Sequence, residues 1–244
     1  MDRLIYTAAS GARALMQRQD GLANNLANAN TPGFRADQVA FRAVPVRGEG
    51  ATTRVVSIEA GTGFEDRSGA IESTGRDLDI AVMGAGYIAV QGADGSEAYT
   101  RSGALQVNSE GVLVTPGGLP VASDGGTLNI PAGTTVSIAK DGTVSATPSK
   151  GAIQNVGRIK LVNPPASELR KGEDGLLRMA EGGDAPVDET VRIASGSLEG
   201  SNVSVVEAMV GMIAASRQFE TQMKLLQTAE QNDQRAAQLL GPAR

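Results

Sequence analysis

Apolar positions near the start of the chain recur in steps of three and four. Leu4, Ala8, Ala12, Leu15, Leu22, Leu26 and Ala29 follow this spacing, with one polar step at Gln19. That period predicts an amphipathic helix over residues 2–28. Gly11 and the alanines make its stripe narrow, so a partner helix would approach closely. Asn28-Ala29-Asn30-Thr31-Pro32-Gly33 ends it, because Asn tolerates a left-handed cap and Pro cannot continue a helix.

A longer pattern closes the chain. Val205, Met209, Met212, Ser216, Phe219, Met223, Leu226, Glu230, Asp233, Ala237 and Leu240 alternate steps of four and three. A sustained 3.5-residue period predicts a coiled-coil seam. Ser204-Val205-Val206-Glu207 reads as a capping box at its start, and Gly241-Pro242 as its stop. The acidic and basic residues of this segment balance, which suits packing better than phosphate binding. Neither stripe has an evident cover elsewhere in the sequence, so an isolated chain is expected to expose both.

Between the helices the pattern changes to short β-branched runs: 78–82, 87–91, 112–115, 127–130, 135–138 and 143–146, then 157–162 and 176–179. Turn pairs such as Asp94-Gly95, Glu110-Gly111 and Asp141-Gly142 separate them. The expectation is a mainly β body of hairpins, sandwich-like or open-barrel-like, flanked by N- and C-terminal helices that pair as a coiled-coil domain. The corresponding domains are 1–34 together with 200–244, an extended connector over 35–68 with strand character at 52–58, and a β-rich body over 69–199.

Composition narrows the chemistry. Among 244 residues there is no His, no Cys and no Trp, and the net charge is −5. Ser-His and Cys-His nucleophiles and nearly all zinc sites are thereby excluded. The acidic balance argues against a nucleic-acid surface. Asp2, Arg3, Arg13, Arg18 and Asp20 interrupt the first apolar stretch, so no ordinary cleavable signal is expected.

Three local patterns suggest chemistry and are set aside. Gly84-Ala85-Gly86-Tyr87-Ile88-Ala89 spells a loose dinucleotide fingerprint, but Tyr87–Gln91 alternates like a strand where a helix is required. Ser137-Ile138-Ala139-Lys140 matches an S-x-x-K motif on a strand instead of a helix start. Asp77 and Asp79 fall on one side of an expected strand, and a solvated edge beside Arg76 accounts for them better than a carboxylate site. Met209, Met212 and Met223 are read as adaptable interface fillers. No catalytic, cofactor or metal site is assigned.

Four stretches carry a resemblance: Asn24-Asn25-Leu26-Ala27-Asn28-Ala29-Asn30-Thr31-Pro32-Gly33-Phe34, Gly75–Val82, Tyr99-Thr100-Arg101-Ser102-Gly103, and Leu198–Glu207. In this order they resemble the flagellar axial proteins, the rod, hook and hook-associated subunits. Met1-Asp2, Ile5–Ala8, Thr31–Ala36 and Arg42–Val46 are most similar to a rod subunit; a distal-rod or hook-type subunit is the alternative within the family. A secreted carboxylate-dependent hydrolase is the alternative outside it. The resemblance implies a structural subunit of the basal-body rod, exported through the flagellar type III apparatus and assembled in the periplasm. Its implied partners are itself, the proximal and distal rod proteins and the export apparatus, with no cofactor, nucleic acid or small-molecule substrate. The implied assembly surface is Leu4, Ala8, Ala12, Leu15, Leu22, Leu26, Val205, Met209, Met212, Phe219, Met223, Leu226, Ala237 and Leu240. Asn30, Thr31, Pro32, Gly33 and Phe34 form the turn where the first helix gives way to the connector.

Overall fold

The computed structural model describes residues 2–45, 55–149 and 151–240. The chain divides into two compact units. One contains residues 1–27, 37–63 and 204–244; the other contains 28–36 and 64–203.

The first unit is built on two helices, α1 (Asp2–Ala27) and α2 (Val205–Leu240). The Ser204 hydroxyl accepts the Glu207 amide at 3.4 Å, which caps the start of α2. The expected stop at Gly241-Pro242 lies outside the described residues. The two helices pack along each other, so each covers part of the other's stripe. The side chains buried between them are small: Ala8 and Ala12 on α1, and Ala208, Ala215 and Ala229 on α2. A methyl group placed on Gly211 would lie 3.1 Å from Leu22, and one on Gly11 would lie 3.6 Å from Gln222. Those two pairings place the helices antiparallel.

Residues 35–68, expected as an extended connector, carry two long strands, β1 (Asp37–Pro45) and β2 (Val55–Phe64), which pair with each other. Residues 37–63 group with the helices. Along β1 the half-buried Val39 and Phe41 alternate with exposed Ala40 and Arg42, but Ala43 breaks the period before Val44, so the strand signal is short. Of the strand character expected at 52–58, residues 52–54 lie outside the described set.

The second unit is mainly β and antiparallel. Its largest sheet has five strands, in the order Leu161–Val162, Tyr87–Gln91, Glu97–Thr100, Leu177–Met179, Leu169–Lys171. Thr134–Ile138, Thr143–Pro148 and Gln154–Arg158 form a three-stranded meander. Ile80–Met83 pairs with Arg192–Ser195, and Ile71–Ser73 pairs with Ser197–Glu199, which joins the two ends of this unit. These sheets are small and open, and none closes into a barrel among the described residues. Tyr87–Gln91 is buried on both faces: Ile88 and Val90 enter one apolar cluster with Leu105, Leu113 and Leu128, while Tyr87 and Ala89 enter another with Tyr99 and Leu177.

Candidate assembly interface and helix-exit turn

On α2 the residues turned toward α1 are Ala208, Met212, Ala215, Phe219, Gln222, Leu226 and Ala229, all buried or half-buried. At 3.6 residues per turn these fall on one stripe. The sequence seam through Val205, Met209, Met212, Phe219, Met223 and Leu226 is rotated from it. Met212, Phe219 and Leu226 are half-buried, whereas Val205, Met209 and Met223 are exposed. The closest approach to α1 is made instead through the small Ala208, Ala215 and Ala229. On α1, Ala8 and Ala12 are buried, and Leu15, Leu22 and Leu26 are half-buried. The side chains of Leu4, Ala237 and Leu240 lie outside the described set. Opposite the α1-facing stripe, Val206, Val210 and Ile213 are 71%, 61% and 56% exposed at steps of four and three. The sequence reading missed this outward row.

The turn after α1 is held at Thr31, Gly33 and Phe34. The Thr31 amide donates to the Asn28 carbonyl at 3.1 Å, and the Phe34 amide to the Thr31 carbonyl at 3.2 Å. Asn30 and Thr31 are exposed, whereas Pro32, Gly33 and Phe34 are half-buried. Gly33 has φ 71°, a region costly for other residues. A Cβ there would also lie 2.2 Å from the Arg101 carbonyl carbon, so only glycine fits. The Gly33 amide donates to the Glu199 carbonyl at 2.7 Å. The Lys171 ammonium sits 3.8 Å over the Phe34 ring and donates to the Arg35 carbonyl at 2.7 Å.

Below the turn lies a buried ionic cluster. The Glu199 carboxylate meets Arg35 at 3.0 Å and Arg101 at 2.9 Å, with all three side chains almost wholly buried. Burial pushes the Arg35 guanidinium below its ordinary value, and the Glu199 charge opposes that shift. Arg101 also lies 5.2 Å from the centre of the Tyr87 ring. The Tyr87 phenol donates to Asp66 at 2.6 Å; burial first, then that hydrogen bond, push its pKa well up. Asn202 is buried and bonded at both ends of its amide: it accepts from Ala36 N–H at 2.7 Å and donates to the carbonyls of Glu65 and Arg67. Within the helical unit, Asn25 pairs in the same two-way manner with the backbone of Asp37. The sequence quoted Asn25, Arg101, Glu199 and Asn202 within its motifs but gave them no role. Little in the local sequence marked them: Asn25, Arg101 and Asn202 each sit beside other polar residues.

Three family models match the chain: "Flagella basal body rod protein" over residues 5–35, "Flagellar hook protein FlgE/F/G D1 domain" over 81–146, and "Flagellar basal body rod FlgEFG protein C-terminal" over 194–239. The chain is 45% identical to the flagellar basal-body rod protein FlgF of Escherichia coli strain K12, covering 98% of this chain and 99% of that one. It is 43% identical to FlgF of Salmonella typhimurium strain LT2 over the same shares, and 36% identical to FlgF of Caulobacter vibrioides over 99% of each chain. The chain belongs to the FlgF family of flagellar basal-body rod proteins. It is a structural subunit of the rod.

The structure gives each of the three set-aside patterns a local meaning. Gly84 (φ 77°) to Gly86 is a turn between two strands, and the Gly84 carbonyl accepts from Arg101 at 2.6 Å. Ser137 lies exposed on the strand Thr134–Ile138, with Lys140 in the turn after it. Asp77 and Asp79 do not share a strand: both lie in a turn closed by the Asp79 amide donating to the Arg76 carbonyl at 2.9 Å. Asp77 is exposed, whereas Asp79 is buried against Arg76 and Thr74 at 2.6 and 2.7 Å. The solvated edge is therefore corrected to one exposed and one buried carboxylate. No acidic cluster suited to a metal ion occurs among the described residues.

Proposed function

We propose that the chain polymerises through its terminal helices, contacting copies of itself and the proximal and distal rod proteins, to form part of the drive shaft. The observation that carries this reading is the inverted burial of the helices. Ala8, Ala12, Ala208, Ala215 and Ala229 are inside, while Val206, Val210, Ile213, Met209 and Tyr6 face outward. A monomer gains nothing from exposing such a row, and contiguous exposed apolar surface marks an interface. Between subunits the helices act as the coiled-coil domain expected from the 3.5-residue period, drawing on segments 1–34 and 200–244, with Leu4, Ala237 and Leu240 extending the contact. We further propose export through the flagellar type III apparatus, assembly in the periplasm and a role without catalysis; the family's rod location supports this reading.

The test is the double variant Val206→Asp/Val210→Asp. Both side chains are exposed in the subunit, so monomer stability should change by less than about 0.5 kcal/mol each. In an assembly each loses about 1.5–3 kcal/mol of apolar burial and adds the cost of burying a charge. The expected result is a folded, exported monomer that builds no rod. Normal motility would reject this face as the contact.

A further inference from the structure

Glu199 grips the helix-exit turn through both its backbone and its side chain. Its carbonyl receives the Gly33 amide at 2.7 Å. One carboxylate oxygen meets Arg35 and the Gly69 amide, each at 3.0 Å, and the other meets Arg101 at 2.9 Å. Arg101 continues to the carbonyls of Gly84 and Val82 at 2.6 and 3.3 Å, and Arg35 to the carbonyl of Arg67. Four separate stretches of backbone are thus tied to one carboxylate. Two buried guanidiniums face one buried carboxylate, and among the described residues the Nε of each arginine and Nη2 of Arg35 find no hydrogen-bond partner. An apolar cluster would hold a core at lower desolvation cost, so stability alone does not account for this arrangement. Charge-assisted hydrogen bonds of this kind carry geometric specificity as well as energy.

We infer that Glu199, with Arg35 and Arg101, is the positioning device of the helix-exit turn, fixing residues 33–35 in one conformation on which rod assembly depends. The inference rests on the proposed helix-mediated assembly. Its test compares full-length Glu199→Gln and Arg35→Lys with Val144→Ala, a core variant in the three-stranded meander. Glu199→Gln keeps the shape and removes the charge; Arg35→Lys keeps the charge and cannot make the same paired contacts. Thermal unfolding, amide exchange at Gly33 and Phe34, and swimming of cells carrying each variant as their sole copy are measured. At matched loss of Tm, both turn variants should exchange at Gly33 and Phe34 about tenfold faster than Val144→Ala. Glu199→Gln should abolish swimming, while Val144→Ala swims. Equal exchange in the turn and core variants, or normal swimming by Glu199→Gln, would overturn the inference. If Glu199→Gln does not fold, the milder Arg35→Lys decides by the same exchange comparison. The exchange contrast survives even if the Val206/Val210 variant assembles, so failure of the helix reading and failure of the positioning device are separable.

Discussion

The β body and the paired helices use apolar residues in opposite ways. In the body, Ile80, Ile88, Leu105, Leu113 and Leu128 are fully buried, and the residues facing solvent are mostly polar. In the helices, the fully buried apolar residues are alanines, while Val206, Val210, Ile213 and Met16 stand in solvent. The body follows the usual rule for a chain that folds on itself. The helices fit the rule for one component of a larger core: small residues bring its own elements closest together, and a row of large ones is left for a partner. A polymer subunit requires both rules in one chain.

The largest effect should come from breaking the body's rule. Leu113→Ala removes a fully buried side chain and should cost about 2–5 kcal/mol, read as an earlier loss of β signal in chemical denaturation. A loss under about 1 kcal/mol would mean this core is not close-packed. The helices should show the reverse order of sensitivity. Ala215→Leu overfills the buried stripe and should cost about 1–3 kcal/mol, seen as faster exchange along α1 and α2. Ile213→Ala, on the outward row, should leave monomer stability within about 0.5 kcal/mol. If Ile213→Ala costs more than Ala215→Leu, the helix stripes are assigned the wrong way round.

Smaller effects should follow pH, and they belong to the body. Burial raises the Tyr99 phenol from 10.0 to about 12. A raised folded value means its contribution is complete below pH 10 and is lost as pH rises from there through about 12. Tyr99→Phe should flatten the alkaline side of the Tm profile. The smallest change concerns the turn carboxylate Asp174, which its hydrogen bond from Arg178 holds below the ordinary 3.8. A depressed folded value contributes above 3.8 and is lost as pH falls through the lower value. Asp174→Asn should therefore reduce the fall of Tm in acid by a small amount; an unchanged acid limb would show that the Arg178 contact adds nothing.

Both helices, many of the hairpins and the family were legible in the residues. A helix declares itself by a local period, and the Asp-Gly turns declare themselves by the backbone that Gly permits. Asn30-Thr31-Pro32-Gly33 announced a helix end for the same local reason. The structure alone decided which stripe of α2 faces α1, because that choice depends on Ala8, Ala12 and Gly11 on another helix rather than on the size of Met209 or Val205. It also decided the pairing of Arg192–Ser195 and Ser197–Glu199 with strands far earlier in the chain. The partners of Glu199 and Asn202 were equally out of reach: Arg101 lies 98 residues from Glu199, and Ala36 lies 166 residues from Asn202. Local propensity acts over a few bonds and leaves a trace in sequence order. A buried charge finds its partner only when folding removes water from both, and that meeting has no local period.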